Sequence, residues 1–391
     1  MFICLVWLAF MADPRVVAYY PEWAIYDRKF DVAAIPADRL THVVYAFAKI
    51  ENGEMRTVDA YAATDKFYPG DKWDKDFLRG NFHQLQRLKA KHKHLRTLAA
   101  VGGWTLSGPF SDMAATEAGR EKFAASAVAY VKRYGFDGLD VDWEYPVSGG
   151  LASNRTRKED KGNYTRLMAT LRRHLDAQGK KDGRTYDLTI AAPASPATRG
   201  NLELKELAKH VDWFHVMTYD FHGGWSKQTN LHAPLYFPKD DPNKENTELT
   251  VDATVQGYLK AGVPRDKLVV GVPFYGRGWS GARSETGLYT TPAATLPRGT
   301  WEAGVYDYKD LAANYIPKMK RHWHPTAQVP WLHDPKSGLM ISYDDAESLE
   351  QKAAYVRKQR LGGVMIWEIT ADDRPHTLLN ALHTGLGTKD R

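Results

Sequence analysis

Apolar positions along the chain gather into eight short runs separated by stretches of helical periodicity. The runs fall at 16–23 (VVAYYPEW), 42–50 (HVVYAFAKI), 95–104 (LRTLAAVGGW), from 136 onward (FDGLDVD), 188–194 (LTIAAPA), 213–220 (WFHVMTYD), 267–275 (KLVVGVPFY) and 363–370 (GVMIWEIT). Runs of this length, rich in β-branched and aromatic residues, read as strands buried on both faces. Amphipathic helices are predicted at 81–94, 111–134, 163–175, 250–261, 345–360 and 375–386. The helix at 111–134 has a start signal at Ser111 and a stop signal at Gly135.

Alternation of buried strands with helices implies a parallel sheet, and about eight such units imply a (β/α)8 barrel. The segment 276–343 interrupts the alternation between the seventh and eighth runs. It is rich in Gly, Pro, Trp and Tyr. A structureless loop of that length does not suit a compact domain, so it reads as a small inserted α+β subdomain. The barrel is then built from 16–275 and 344–391.

Residues 1–15 are set apart by the apolar run at 2–11, far too short to span a bilayer. It reads either as the remnant of a secretion signal or as a genuine first segment. No Lys or Arg precedes it and no A-x-A site follows. The one cysteine, Cys4, excludes an intramolecular disulfide, which is compatible with the cytosol or with bacterial secretion. Hydrophobic residues make up 43% of 391 positions, ordinary for a soluble protein. The net charge of +6 arises from Lys and Arg mixed with nearly as many acids. No basic block points to nucleic acid. No phosphate-binding loop is present. His92 and His94, like His322 and His324, lie two residues apart with no cysteine or acid cluster to complete a metal site. They read as surface histidines, and neither metal nor cofactor is expected. The Asn-x-Thr triplets at Asn154 and Asn163 are no more than chance supplies.

One run departs from the apolar pattern. In FDGLDVDWEYP, parity along a strand puts Asp140, Asp142 and Glu144 on one face and Leu139, Val141 and Trp143 on the other. Asp137 has the opposite parity and points toward the helix layer, which suggests a structural role. Confined like charges raise one another's pKa, so at least one carboxyl in such a row holds a proton and can donate it near neutral pH. Catalytic groups of this fold sit at the C-terminal ends of strands, where Glu144 falls.

The stretch resembles the DxxDxDxE signature of family 18 glycoside hydrolases, the chitinase family. Asp137, Asp140, Asp142 and Glu144 all match, and Trp143, Tyr145 and Pro146 extend the match. The likeness covers about 16–386. It implies an insertion between the seventh and eighth strands that walls one side of a cleft. It implies that Glu144 is the general acid, that Asp142 orients the substrate's acetamido group, and that Asp140 sustains Asp142. The run ending Met217-Thr218-Tyr219-Asp220 matches the family's M-x-Y-D motif. The likeness then gives Tyr219 the acetamido oxygen and Asp220 the sugar beside the scissile bond. Met217 shares the inward face with Tyr219.

By the same likeness Trp367 is the floor under the cleaved sugar, although core packing alone would also explain a tryptophan there. Tyr275 and Arg277 match sugar-binding positions, and Tyr19 matches the first-strand tyrosine beside the acids. Trp104 and Trp301 match aromatic positions of the cleft, whereas Trp213 reads as core. The family's S-x-G-G is here Ala100-Val101-Gly102-Gly103, so a hydroxyl beside the acids is missing.

The activity implied is hydrolysis of β-1,4 links between N-acetylglucosamine units of chitin. It would proceed with retention, through an oxazolinium ion formed by the substrate. Peptidoglycan or N-glycan cores are alternative substrates of the same family. A chitinase-like lectin is an alternative of another class, against which the presence of Glu144 argues. Fold alone would also admit unrelated chemistry. The expected partners are chitin and its oligosaccharides, with no nucleic acid and no membrane span. The expected form is a monomer, and the expected setting extracellular, with the cytoplasm as the other possibility.

Overall fold

The computed structural model describes residues 13–74 and 76–388. The apolar run at 2–11, with Cys4, lies outside the described residues. The first strands are β1 (Arg15–Pro21), β2 (His42–Glu51), β3 (Glu54–Thr57), β4 (Arg96–Gly102), β5 (Gly138–Asp142), β6 (Asp187–Ala192), β7 (Trp213–Val216) and β8 (Leu268–Pro273). A second group follows: β9 (Tyr275–Trp279), β10 (Val305–Asp307), β11 (Lys320–His324), β12 (Val329–Asp334) and β13 (Leu339–Ser342). The last strand is β14 (Gly363–Trp367).

Eight strands run parallel in the order β1-β14-β8-β7-β6-β5-β4-β2, and β1 pairs with β2 to close the barrel. This is the (β/α)8 fold that the alternation predicts. Alternation along each strand divides two cores. Val17, Tyr19, Val44, Ala46, Leu98, Ala100, Trp213, Val269 and Met365 fill the barrel, Trp213 among them as expected. Their neighbours Val16, Ala18, Tyr20, Val43 and Tyr45 face the helices. The sequence reading missed β3, a short antiparallel return beside β2.

The helix expected at 111–134 is two helices, Phe110–Ala114 and Glu117–Tyr134. Thr116, not Ser111, caps the second, accepting from the Gly119 amide. Ser111 is buried and donates to Asp160 Oδ1 at 2.9 Å, so its hydroxyl is committed between helices. Gly135 ends the second helix at φ 73° as the stop signal predicts. The helix Ala346–Gln359 opens on a capping box formed by Asp345 and Ser348.

Strands β9 to β13 form an antiparallel sheet in the order β10-β9-β13-β12-β11. It carries its own core of Leu231, Trp279, Leu288, Val329, Trp331 and Met340. One histidine expected at the surface is not there. His324 is buried, with Nε2 on Asp240 Oδ1 at 2.8 Å and Nδ1 accepting from the Ala327 amide. Below this sheet, Lys352 from the helix Ala346–Gln359 meets Asp344 at 2.7 Å, both fully buried.

Candidate active site

The C-terminal ends of the barrel strands gather most of the residues singled out above. Just past β5 the outward side chain Trp143 stacks on Phe110 with ring centroids 5.2 Å apart, which locks the strand end against the helix layer. Asp140 and Asp142 consequently point inward and are buried. Gly102 lets β4 approach this end of β5. A Cβ there would lie 2.2 Å from the Asp142 carbonyl oxygen, and its φ is 106°. Ser107 fixes the turn that follows. Its hydroxyl accepts from the Glu144 amide at 2.9 Å and lies 3.2 Å from the Asp142 carbonyl. Asn154, which the sequence offers only as a glycosylation triplet, donates to the Glu144 carbonyl at 3.1 Å.

Asp140 receives three side-chain donors. Tyr19 Oη reaches Oδ2 at 2.6 Å, Thr189 Oγ1 reaches Oδ1 at 2.5 Å, and His215 Nδ1 lies 3.1 Å from Oδ1. Thr189 sits directly across from Asp140 on β6, and Ala100 sits across from it on β4. The Thr189 hydroxyl therefore reaches Asp140 from the side opposite Ala100. Asp137, of opposite parity, lies at the other end of the strand and binds Lys89, Arg184 and the Thr97 amide. That is the structural position parity predicted.

Asp142 differs from Asp140. Burial pushes its carboxyl well above the ordinary range, and the neighbouring charges of Glu144 and Asp140 push the same way. Among the described residues its Oδ1 has no hydrogen-bond partner. Burial also lifts Glu144, to about 7, against a hydrogen bond from Tyr145 that favours its ionised form; the charge of Asp220 adds to the rise.

Asp220, in the left-handed region at φ 56°, closes the opposite side. Burial by itself would raise its pKa, but the Arg277 guanidinium holds it below the usual range. The pair is bidentate, Nε to Oδ1 at 2.8 Å and Nη2 to Oδ2 at 2.7 Å. Asp220 also donates its amide to His232 Nδ1 at 3.3 Å. Tyr275 stacks edge-on against Tyr219 with centroids 6.3 Å apart. Tyr219 and Met217 pack on the inner core, and Tyr219 Oη lies 3.9 Å from Met365 Sδ.

Trp367 crosses the barrel mouth, edge-on to Tyr19 at 5.4 Å and stacked on Phe47 at 5.9 Å. Trp104 and Trp301 remain half exposed. Trp301 Nε1 donates to Asp307 Oδ2 at 2.8 Å, and the Arg28 guanidinium lies 5.0 Å over its ring. The sequence reading missed Thr189, His215, Ser107, Asn154, Phe47 and His232. A polar residue at inward parity inside an apolar run was the available signal for Thr189 and His215. Among the described residues no group of His, Cys, Asp or Glu is arranged to hold a metal ion, and no helix is long and apolar enough to cross a membrane.

Acidic groups with displaced pKa values at the C-terminal rim of a (β/α)8 barrel define an acid–base catalytic site of the kind used on glycosidic bonds. The sequence pattern of glycosyl hydrolases family 18 matches residues 15–372, and the chain belongs to that family. Chitinase A1 of Niallia circulans is 45% identical over 414 residues, an alignment covering 96% of this chain and 58% of that protein. The chain thus spans little over half the length of that relative. Endochitinase 1 of Metarhizium robertsii is 36% identical, with 95% of this chain and 85% of that protein covered. Among solved structures, chitinase ChiA74 from Bacillus thuringiensis superposes with a TM-score of 0.91 at 40% identity, covering 96% of this chain and 70% of that one.

Proposed function

We propose that this protein is a chitinase that hydrolyses β-1,4 links between N-acetylglucosamine units, with retention and with the substrate's own acetamido oxygen as nucleophile. The observation that carries the reading is the state of Asp142. Burial, with Glu144 and Asp140 beside it, pushes its carboxyl toward the neutral form, and among the described residues its buried Oδ1 has no partner. A neutral carboxyl is a poor nucleophile, but an unpartnered oxygen beside it is a ready acceptor for an amide N–H. Asp142 and Glu144 also leave one strand face in the same direction, with α-carbons roughly 6.5–7 Å apart. They cannot flank a sugar from opposite sides, as an acid and a carboxylate nucleophile must. The carboxylate across the mouth, Asp220, is already held by Arg277.

In the proposed reaction Glu144 gives its proton to the glycosidic oxygen as the bond to the anomeric carbon breaks. The acetamido carbonyl oxygen attacks that carbon and forms an oxazolinium ion. Asp142 accepts the acetamido N–H, and Tyr219 donates to the carbonyl oxygen. Glu144, now a carboxylate, takes a proton from water, which opens the ion to a β product. Asp140 holds Asp142 in this row. Tyr145, Met217, Asp220, Tyr275, Arg277 and Trp367 line the sugar at the cleavage point, with Tyr19 beneath, and Trp104 and Trp301 extend the aromatic surface. The same reading places the protein outside the cell as a monomer.

The test is incubation with chitin oligosaccharides and, separately, with peptidoglycan, with products identified by mass and early anomers by NMR. Shortened chitin oligomers of β configuration are expected, and a thiazoline mimic of the oxazolinium ion should inhibit. Cleavage of peptidoglycan alone would overturn the substrate. First-formed α products, or a trapped glycosyl–Asp142 adduct, would overturn the mechanism.

A further inference from the structure

A second pair of polar side chains lies at the base of the acidic row. Trp213 and His215 are two residues apart on β7, so both point into the barrel. Trp213 Nε1 lies 2.7 Å from His215 Nε2. An indole nitrogen only donates, so His215 Nε2 must be bare and accepting. The imidazole therefore carries its hydrogen on Nδ1, which faces Asp140 Oδ1 at 3.1 Å and Tyr19 Oη at 3.3 Å. The Tyr19 hydrogen is already directed to Asp140 Oδ2 at 2.6 Å. Its oxygen is left to accept from the same Nδ1–H.

We infer that Trp213 and His215 form a positioning relay that fixes Asp140 in place of the hydroxyl absent at Ala100. This rests on the proposed catalytic role of the Asp140–Asp142–Glu144 row. Trp213 sets the tautomer, and His215 supplies the third donor that keeps Asp140 an acceptor. Asp142 then remains the member of the row with an oxygen open to the acetamido N–H. The groups facing His215 are few. Asp140 comes from β5, Tyr19 from β1, and Thr189 reaches the same Asp140 oxygen from β6. The strand neighbours in register, Ala191 and Val269, are uncharged. Beyond Trp213 lie His42, edge-on at 4.9 Å, and the Arg15 guanidinium at 4.5 Å from the indole ring. His215 is therefore a positioning residue, acting through Asp140.

Two experiments on the whole protein test this. The first is independent of any substrate: nitrogen-15 NMR of the imidazoles. In the wild type, His215 should show a protonated Nδ1 and a bare Nε2, and Trp213→Phe should give a mixture of tautomers. The reverse tautomer in the wild type would overturn the relay. The second follows hydrolysis of a chitin hexamer against pH. His215→Leu should lower kcat about tenfold to a hundredfold, the range of a hydrogen bond to a charged group, with KM within about twofold. Its acid limb should move to higher pH, because a hydrogen-bond donor to a carboxylate favours the ionised form and its loss removes that preference. His215→Asn, which keeps a donor near the Nδ1 position, should retain most of kcat. Adding Ala100→Ser to His215→Leu should restore kcat and the limb without restoring the thermal stability lost from the cavity. Wild-type kcat and pH profile in His215→Leu, or failure of Ala100→Ser to recover either, would overturn the proposal. Failure of the wild type to cut any chitin oligomer would count against the proposed function instead and leave the tautomer measurement standing.

Discussion

At the scale of single residues, Glu144 governs the expected pH behaviour. Its carboxyl is lifted to about 7, chiefly by burial. The acid form a proton donor needs is thus present below about 7 and lost above it. Hydrolysis of chitin oligomers should therefore show a basic limb near pH 7, and a kcat that stays flat to pH 9 would contradict Glu144 as the donor. Glu144→Gln should cost about 10²–10⁴-fold in kcat while oligosaccharide binding, read by calorimetry, persists. The acidic row was legible in the sequence because strand parity alone puts Asp140, Asp142 and Glu144 together. The groups that tune it were not. Thr189 meets Asp140 only through the register of β6 on β5, and His215 meets it across the barrel interior. No single run contains either relation. Asn154 is further from legibility, since its partner is a backbone carbonyl.

At the scale of elements, errors in the sequence reading trace to side chains with two possible uses. Ser111 and Thr116 are both cap residues by type. Only the burial of Asp160 against Ser111 decides that the helix restarts at Thr116. His324 reads as a surface residue by type, but at the end of β11 it is buried with Nε2 on Asp240, a residue distant in sequence. Contacts between elements also carry two predictions. Arg28, after β1, touches Glu368 at 3.3 Å beyond β14 and lies over Trp301 near β10. Arg28→Ala should leave Trp301 without its barrel-side support and lower kcat/KM on polymeric chitin more than on a trimer, with Arg28→Lys intermediate. Equal losses on both substrates would separate Trp301 from long-chain binding. Lys352 and Asp344 form a pair in which burial pushes both toward neutrality, the lysine down and the aspartate up. Their mutual attraction and the Ser348 hydroxyl oppose that push. Lys352→Ala leaves a buried carboxyl without its cation and should cost about 3–5 kcal/mol in urea unfolding. Replacing both with Met and Leu should recover most of it. A loss below about 1 kcal/mol in the single variant would mean that water reaches Asp344.

At the scale of the whole molecule, buried carboxyls set the dependence of folding on pH. Glu22, beside β1, is raised from the ordinary 4.5 to about 8; burial outweighs its bonds from Tyr45 Oη and the Asp59 amide. Asp372, at the foot of the helix Thr377–Leu386, is raised to about 7, again by burial, against amide bonds from Leu378 and Leu379. For such groups the folded state binds the proton more tightly than the unfolded chain does. Their contribution is complete below the unfolded value and is lost as pH rises through the folded one. Within that window each group costs up to about 1.4 kcal/mol per pH unit. Asp137 and Asp220 have the opposite sign. Burial alone would raise them, but Lys89 and Arg277 hold them below the usual range. Their stabilisation is present above about 3.8 and lost as pH falls. The two sets together put maximal stability near pH 5, and stability should decline steadily toward pH 8. Calorimetric Tm measured from pH 4 to 9 checks this. Glu22→Gln keeps a neutral side chain of the same size against Tyr45, so it should flatten the decline between pH 5 and 8. A variant whose Tm falls as steeply as that of the wild type would remove Glu22 from the account and shift the burden to Asp372 and to Glu144 itself. If the slope does flatten, the loss of folding stability and the loss of the Glu144 proton share one cause, carboxyls kept neutral by burial, and both confine the protein to acid and neutral media.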